Sequence, residues 1–235
     1  MNIANKTLLI TGTSRGLGRA LVHEALRRGA KSVYAGTRNG AREHTDERVV
    51  PLKLDVTNLS QIRQAAEEVD TLDVLINNAG IAIFEDLSNA EVIEQHLDIN
   101  FLGMFRMVRA VLPLLKRSNG AIVNNLSLAA LAPIPVLPAY SVSKAAAFNM
   151  TQSLRMLLGK QGVMVHGVLI GAIDTDMIKA MDIPKTPPER VATGIFDGLE
   201  RGEEDIFPDP LSQTMAEGWR TGVAKAFERQ NAALV

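Results

Sequence analysis

The sequence has no cysteine. That excludes a disulfide framework, a thiolate metal site and a thiol nucleophile. Aromatic residues are scarce, at 4% of 235 residues, with one tryptophan and two tyrosines. Chemistry that needs a phenol must use Tyr34 or Tyr140, and Tyr34 lies in a run that reads as a core strand. No charge of one sign predominates. The 25 basic and 26 acidic side chains leave a net charge of -1, so no basic field draws in nucleic acid or an anionic membrane. The chain enters a strand-like run at Lys6-Thr7-Leu8-Leu9-Ile10 without the basic and longer apolar regions of a signal peptide. A cytoplasmic location is the expectation.

One stretch lacks charge altogether, between Arg117 and Lys144. It is long enough for a bilayer crossing of ~20 residues. Pro133, Pro135 and Pro138 would break a spanning helix, and Asn119, Asn124 and Asn125 would be costly in lipid. The stretch reads instead as a buried strand, an irregular apolar wall and a helix.

What is present is an ordinary globular composition, 46% hydrophobic and 22% charged. Short apolar runs alternate with helical segments. Strands are expected at Thr7–Thr11, Ser32–Gly36, Val49–Leu54, Val74–Asn77, Ala121–Leu126, Met164–Ile170 and Asp205–Phe207. Several are apolar at consecutive positions, the mark of parallel strands covered on both faces. Between the first two, Leu17, Leu21 and Ala25 recur every four residues and the stripe stops at Gly29. Further helices are expected at about 59–69, 92–116, 139–158, 188–201 and 211–230. Arg38 to Arg48 is too short and polar for a full helix, so that crossover is expected to be a loop. The alternation predicts a single α/β domain over 1–235, a Rossmann-type doubly wound parallel sheet of about seven strands with helices on both faces.

The first strand runs into Thr11-Gly12-Thr13-Ser14-Arg15-Gly16-Leu17-Gly18 and then a helix. A pyrophosphate can approach backbone amides only where no Cβ intervenes, and the helix N-terminus adds partial positive charge. The spacing is G-x-x-x-G-x-G, which a tight turn alone could also use; its place between first strand and first helix favours phosphate binding. About twenty residues further on, an acid would hold a ribose hydroxyl and an arginine would accept a 2′-phosphate. That place holds Arg38, and Arg15 is a second cation in the loop. Two solvated surface arginines are the other reading. The pair favours NADP(H), with NAD(H) still possible.

These motifs, with Asp55-Val56, Asn77-Asn78-Ala79-Gly80, Asn100, Ser127 and Tyr140-Ser141-Val142-Ser143-Lys144, resemble the short-chain dehydrogenase/reductase family in order and spacing over nearly the whole chain. The resemblance implies a catalytic set of Ser127, Tyr140, Lys144 and Asn100. It implies cofactor contacts from Gly12, Ser14, Arg15, Gly16, Leu17, Gly18, Arg38, Asp55, Val56, Asn78, Ala79, Gly80, Tyr140, Lys144, Gly171, Ile173 and Thr175. Physical reasoning agrees with the triad. Lys144 lies four residues after Tyr140 on one helix face, where an ammonium is expected to lower the phenol pKa. Ser127 follows a central strand, where its hydroxyl can steady a carbonyl oxygen. Taken singly, Ser127 as a strand cap, Asn100 as a helix amide bonded to a carbonyl and Lys144 as a solvated helix face are the better readings; taken jointly, at this order and spacing, the functional reading is. One departure stands out: where the family carries Pro-Gly after the sixth strand, this chain has Ile170-Gly171, a less restricted backbone.

The expected activity is hydride transfer between nicotinamide and a ketone, aldehyde or secondary alcohol, with carbonyl reduction favoured. The alternatives are a non-catalytic NADP(H)-sensing or scaffold protein on the same fold, and an epimerase or dehydratase. Residues 171–190 are expected to form a substrate loop. Across the cleft from its Met177, Ile178, Met181 and Ile183, the stretch Leu128 to Leu137 offers Leu131, Pro133, Ile134, Pro135 and Val136; plain core packing is an equal reading, and the other is an uncharged, fairly apolar substrate. Phe101 to Leu115 is apolar almost all round, which calls for burial on more than one face; with the helix-bundle subunit contacts that the resemblance implies, a homodimer or homotetramer is expected. His23, His44, His96 and His166 are scattered, so no metal is expected. Trp219 reads as packing, and Glu203-Glu204 as a solvated turn.

Overall fold

A computed structural model of the chain describes residues 1–41 and 44–233. Its centre is a parallel sheet of seven strands in the order β3-β2-β1-β4-β5-β6-β7. The strands are β1 (Thr7–Thr11), β2 (Ser32–Thr37), β3 (Val49–Lys53), β4 (Val74–Asn77), β5 (Ala121–Asn125), β6 (Met164–Val168) and β7 (Asp205–Ile206). β1, β4 and β5 are buried at every position, which is why they read as continuous apolar runs. β3 is an edge, and it tolerates Pro51 because a strand there can leave one side unpaired. The order reverses between β1 and β4, and the carboxyl ends of those strands open a crevice.

Helices cover both faces. On one side, α1 (Gly16–Arg27) and α6 (Pro188–Arg201) bring Leu21, Ala25, Ile195 and Phe196 against Leu8, Ile10, Val33 and Ile76. On the other, α2 (Leu59–Glu68), α4 (Met104–Ser118) and α5 (Pro138–Gly159) set Ile62, Met107, Val111 and Leu158 against Leu9, Leu75 and Ile122. No helix among the described residues is long and apolar enough to cross a membrane.

Three expectations need correction. The run at 92–116 is not one helix. It is α3 (Ala90–His96), one π-helical turn (Leu97–Gly103) and α4. An extra residue in a turn leaves no compositional trace. The run at 211–230 is two helices, α7 (Pro210–Thr221) and α8 (Val223–Ala232). Gly222 separates them with extended backbone, ψ 158°. Glu203-Glu204 is not simply a solvated turn. Glu203 pairs with Arg201 and Arg220, and Glu204 reaches Lys225 at 2.9 Å. Between β2 and β3 no helix forms among the described residues, as expected; Arg42 and Glu43 of that loop lie outside them. Trp219 is packing: its ring lies 5.2 Å from that of Phe148, and its Nε1 donates to Asp205 at 2.8 Å.

Candidate active site

The crevice at the carboxyl ends of the strands encloses about 360 Å³. Every glycine-loop residue singled out from sequence lines it, as do Arg38, Asp55, Val56, Asn78, Ala79, Gly80, Ser127, Tyr140, Lys144, Gly171, Ile173 and Thr175. Asn100 does not line it.

The glycines at one end are demanded by close approach. Gly12 has φ +72°, and a Cβ there would stand 2.9 Å from the Ala79 Cα. A Cβ on Gly18 would stand 2.0 Å from the Gly12 carbonyl oxygen. The loop is pressed onto the turn after β4 and fastened there. Thr11 Oγ1 accepts from the amides of Asn78 and Ala79, both at 2.9 Å, and Asn78 Nδ2 donates to the carbonyls of Thr11 and Gly12. Asn125 in turn donates to Asn78 Oδ1 at 3.1 Å. Sequence reasoning missed Thr11 and Asn125. The available signal was the pairing of two amide doublets, Asn77-Asn78 and Asn124-Asn125, at the ends of otherwise apolar neighbouring strands.

At the other end, β5 delivers Ser127 and the first turns of α5 deliver Tyr140 and Lys144. Ser127 Oγ accepts from the Ala129 amide at 3.1 Å, so this serine caps the short helical turn Leu128–Ala130 and not the strand as the alternative reading had it. That bond leaves its proton free to point toward Tyr140. Burial pushes the Tyr140 phenol pKa up, and the Ser127 hydroxyl draws it partly back. Lys144 donates to the Asn125 carbonyl at 2.8 Å and lies 5.6 Å from the Tyr140 ring centre. Burial lowers its own pKa to about 8. The expectation that the ammonium lowers the phenol pKa is therefore not what governs here; desolvation of both groups is the stronger effect.

Asn100 sits behind this pair, in the π-helical turn. Its Nδ2 donates to the Ile81 carbonyl and to Ser143 Oγ, both at 3.0 Å, and its Oδ1 accepts from the Ile81 amide at 2.9 Å. It ties the Gly80–Ile81 wall to α5, one residue from Lys144. The π turn is what aims it, since a regular helix would rotate position 100 away.

The turn after β6 holds its shape without the proline. The Ile170 carbonyl accepts from the Leu128 amide at 2.9 Å, and the Gly171 amide donates to Asp209 Oδ2 at 2.8 Å. These hydrogen bonds fix the turn on either side of Ile170. Residues 171–187 follow as an irregular segment before α6, necked by a bridge between Ile173 and Thr186. Arg38 lies close enough to Asp55 to act on its charge. Burial opposes ionisation of Asp55, but the Thr57 amide and hydroxyl and the Arg38 charge hold its pKa below the usual carboxylate value.

A doubly wound sheet with its glycine turn at the switch point makes this a Rossmann-type protein. Comparison with known proteins narrows that class. The family model described as short chain dehydrogenase matches residues 6–185, and the chain belongs to that family. The 11-beta-hydroxysteroid dehydrogenase-like 3 of Arabidopsis thaliana is 31% identical, with 87% of this chain and 74% of that protein covered. Oxidoreductase UcpA of Salmonella typhimurium is 31% identical, with 87% and 88% covered. A crystal structure of a short chain dehydrogenase from Burkholderia cenocepacia, in complex with NADP, is 34% identical over 98% of both chains, with a TM-score of 0.89.

Proposed function

We propose that the protein is an NADP(H)-dependent oxidoreductase that reduces an uncharged, fairly apolar ketone or aldehyde. The observation that carries this is the convergence of Ser127, Tyr140 and Lys144 at one end of a cleft whose other end is a bare glycine turn. The residues fit a dinucleotide: glycines leave backbone where a phosphate would approach, and Arg15 and Arg38 line the same end. The NADP in the Burkholderia relative supports the same cofactor here.

When bound, the reduced nicotinamide supplies the hydride. The chain supplies the rest. Tyr140 gives its phenol proton to the carbonyl oxygen, and preference for NADPH makes reduction the working direction. Ser127 steadies that oxygen with its hydroxyl. Lys144 brings positive charge beside the phenolate left behind, and Asn100 keeps the wall opposite in place. Ile81, Met177 and Ile178 make the neighbouring lining apolar. A second copy is proposed to pair across the groove of Phe101, Leu102, Phe105, Ala146 and Met150, where Leu102 and Phe105 stand exposed.

The test is a panel of ketones and aldehydes followed at the NADPH absorbance band. Turnover is expected with at least one apolar carbonyl. Tyr140→Phe should lose about 10³-fold in kcat while calorimetry still records NADPH binding. Undiminished turnover in that variant removes Tyr140 as the acid.

A further inference from the structure

Two arginines face the cleft, and each has a carboxylate at hand, but the carboxylates differ. Asp55, near Arg38, is fixed by its own loop: its Oδ1 accepts from the Thr57 amide at 2.9 Å and the Thr57 hydroxyl at 2.7 Å. Asp176 belongs to a short turn at the tip of the irregular segment and holds Arg15 Nη1 at 3.2 Å. The pair joins residues from opposite rims of the cleft. Both side chains are largely exposed, Arg15 at 74% and Asp176 at 64%. Beside them, a Cβ on Gly16 would stand 3.1 Å from Thr175 Cγ2, so the tip rests on the glycine turn. The neck is firmer. The Asp174 amide donates to the Thr186 carbonyl at 3.0 Å and the Thr186 amide to the Ala172 carbonyl at 2.9 Å.

We infer that Asp176 is a specificity-determining residue of the cofactor cleft: its carboxylate occupies Arg15 and yields it to the 2′-phosphate of NADPH, and so sets how strongly that phosphate is preferred over the hydroxyl of NADH. The inference rests on the cofactor reading above and adds a residue to it. The physical case has three parts. An exposed ion pair is weak because water screens it. A phosphate monoester carries close to two negative charges at neutral pH and offers three strong acceptor oxygens, so it outcompetes a single exposed carboxylate for a guanidinium. The displaced carboxylate remains tethered by the neck near the same guanidinium, where its charge opposes the phosphate. Asparagine at 176 keeps the size of the side chain and removes both the competition and the repulsion. Because position 176 is exposed, the fold is not at stake, and far-ultraviolet circular dichroism checks that.

The experiment is titration calorimetry of the full chain with NADPH and with NADH, for the wild type, Asp176→Asn, Arg15→Met and the double variant. Asp176→Asn should raise the ratio of NADPH to NADH affinity about fivefold. In the Arg15→Met background the same change should move the ratio far less, because the competition for the guanidinium is gone and only the direct repulsion remains. Equal tightening of both cofactors would mean that Asp176 acts on their shared pyrophosphate, and that overturns the inference. An unchanged ratio, or an effect undiminished without Arg15, overturns it too. If the wild type prefers NADPH in these cases, the cofactor reading stands and only the role of Asp176 falls. A wild type that binds both cofactors equally overturns the cofactor reading, and the role of Asp176 with it.

Discussion

Among the described residues two lysines are buried, Lys144 at 6% exposure and Lys225 at 2%, and they are treated in opposite ways. Lys225, on α8, meets Asp205 at 2.7 Å, Glu228 at 2.9 Å and Glu204 at 2.9 Å. Burial alone would lower its pKa, but these carboxylates, Asp205 foremost, raise it. Arg155 joins the same cluster through Asp205 at 2.7 Å and through Glu228. Lys144 has a backbone carbonyl, and burial lowers its pKa to about 8. The fold can neutralise a buried ammonium and does so where the C-terminal helices dock. In the cleft it withholds the counter-charge. An ammonium left like that costs stability, and it stays poised to answer a negative charge that develops beside it. Lys225 is arranged for structure, and Lys144 is left free for the chemistry proposed above.

Removing each ammonium tests the contrast. Lys144→Met should lower kcat by about 10³-fold, at the upper end of what one acid–base or electrostatic group contributes. Its stability should move by no more than about 1 kcal/mol, because relief from desolvation offsets the loss of a donor to the Asn125 carbonyl. Lys225→Met should do the reverse. Asp205 and Glu228 would keep Arg155 but lose their nearest ammonium, at a cost of about 3–5 kcal/mol in urea denaturation. The kcat of the folded fraction should hold, since no residue of α8 lines the cleft. If the two variants lose stability alike, the contrast is broken.

How much of this was legible in the sequence follows from the range of each signal. The buried strands announce themselves because parallel strands covered on both faces are apolar throughout. Tyr140 and Lys144 are found by a four-residue spacing, and the glycine turn by its place after β1. The π turn at Leu97–Gly103 is silent, and so is the reason Asn100 points at Ile81. Lys225 looks like a solvent lysine until β7 and α8 meet. Gly222 was visible, but the apolar period on either side of it read through the break. Arg15 and Asp176 are separated by most of the chain, and no local pattern joins them. Local order was readable; charge pairing across the fold was not.

The sharpest form of the lysine comparison is in alkaline solution. The folded pKa of Lys144, about 8, lies below the ordinary 10.5. Between those values the unfolded chain holds a proton that the folded chain has released, so the contribution of Lys144 to folding improves as pH rises. Wild type should therefore gain about 2 kcal/mol over Lys144→Met from pH 8 to pH 10. Lys225 has the opposite sign. Its raised pKa gives stability that is complete below 10.5 and is lost only as pH climbs through the higher folded value. The gap between wild type and Lys225→Met should thus stay level from pH 8 to pH 10. Urea titrations of the three proteins at pH 8, 9 and 10 measure both slopes. Parallel slopes for wild type and Lys144→Met would mean that the cleft ammonium is as well matched as the one beneath α8. Carbonyl reduction should also slow as pH rises past about 8, when Lys144 gives up the charge that the departing phenol proton calls for.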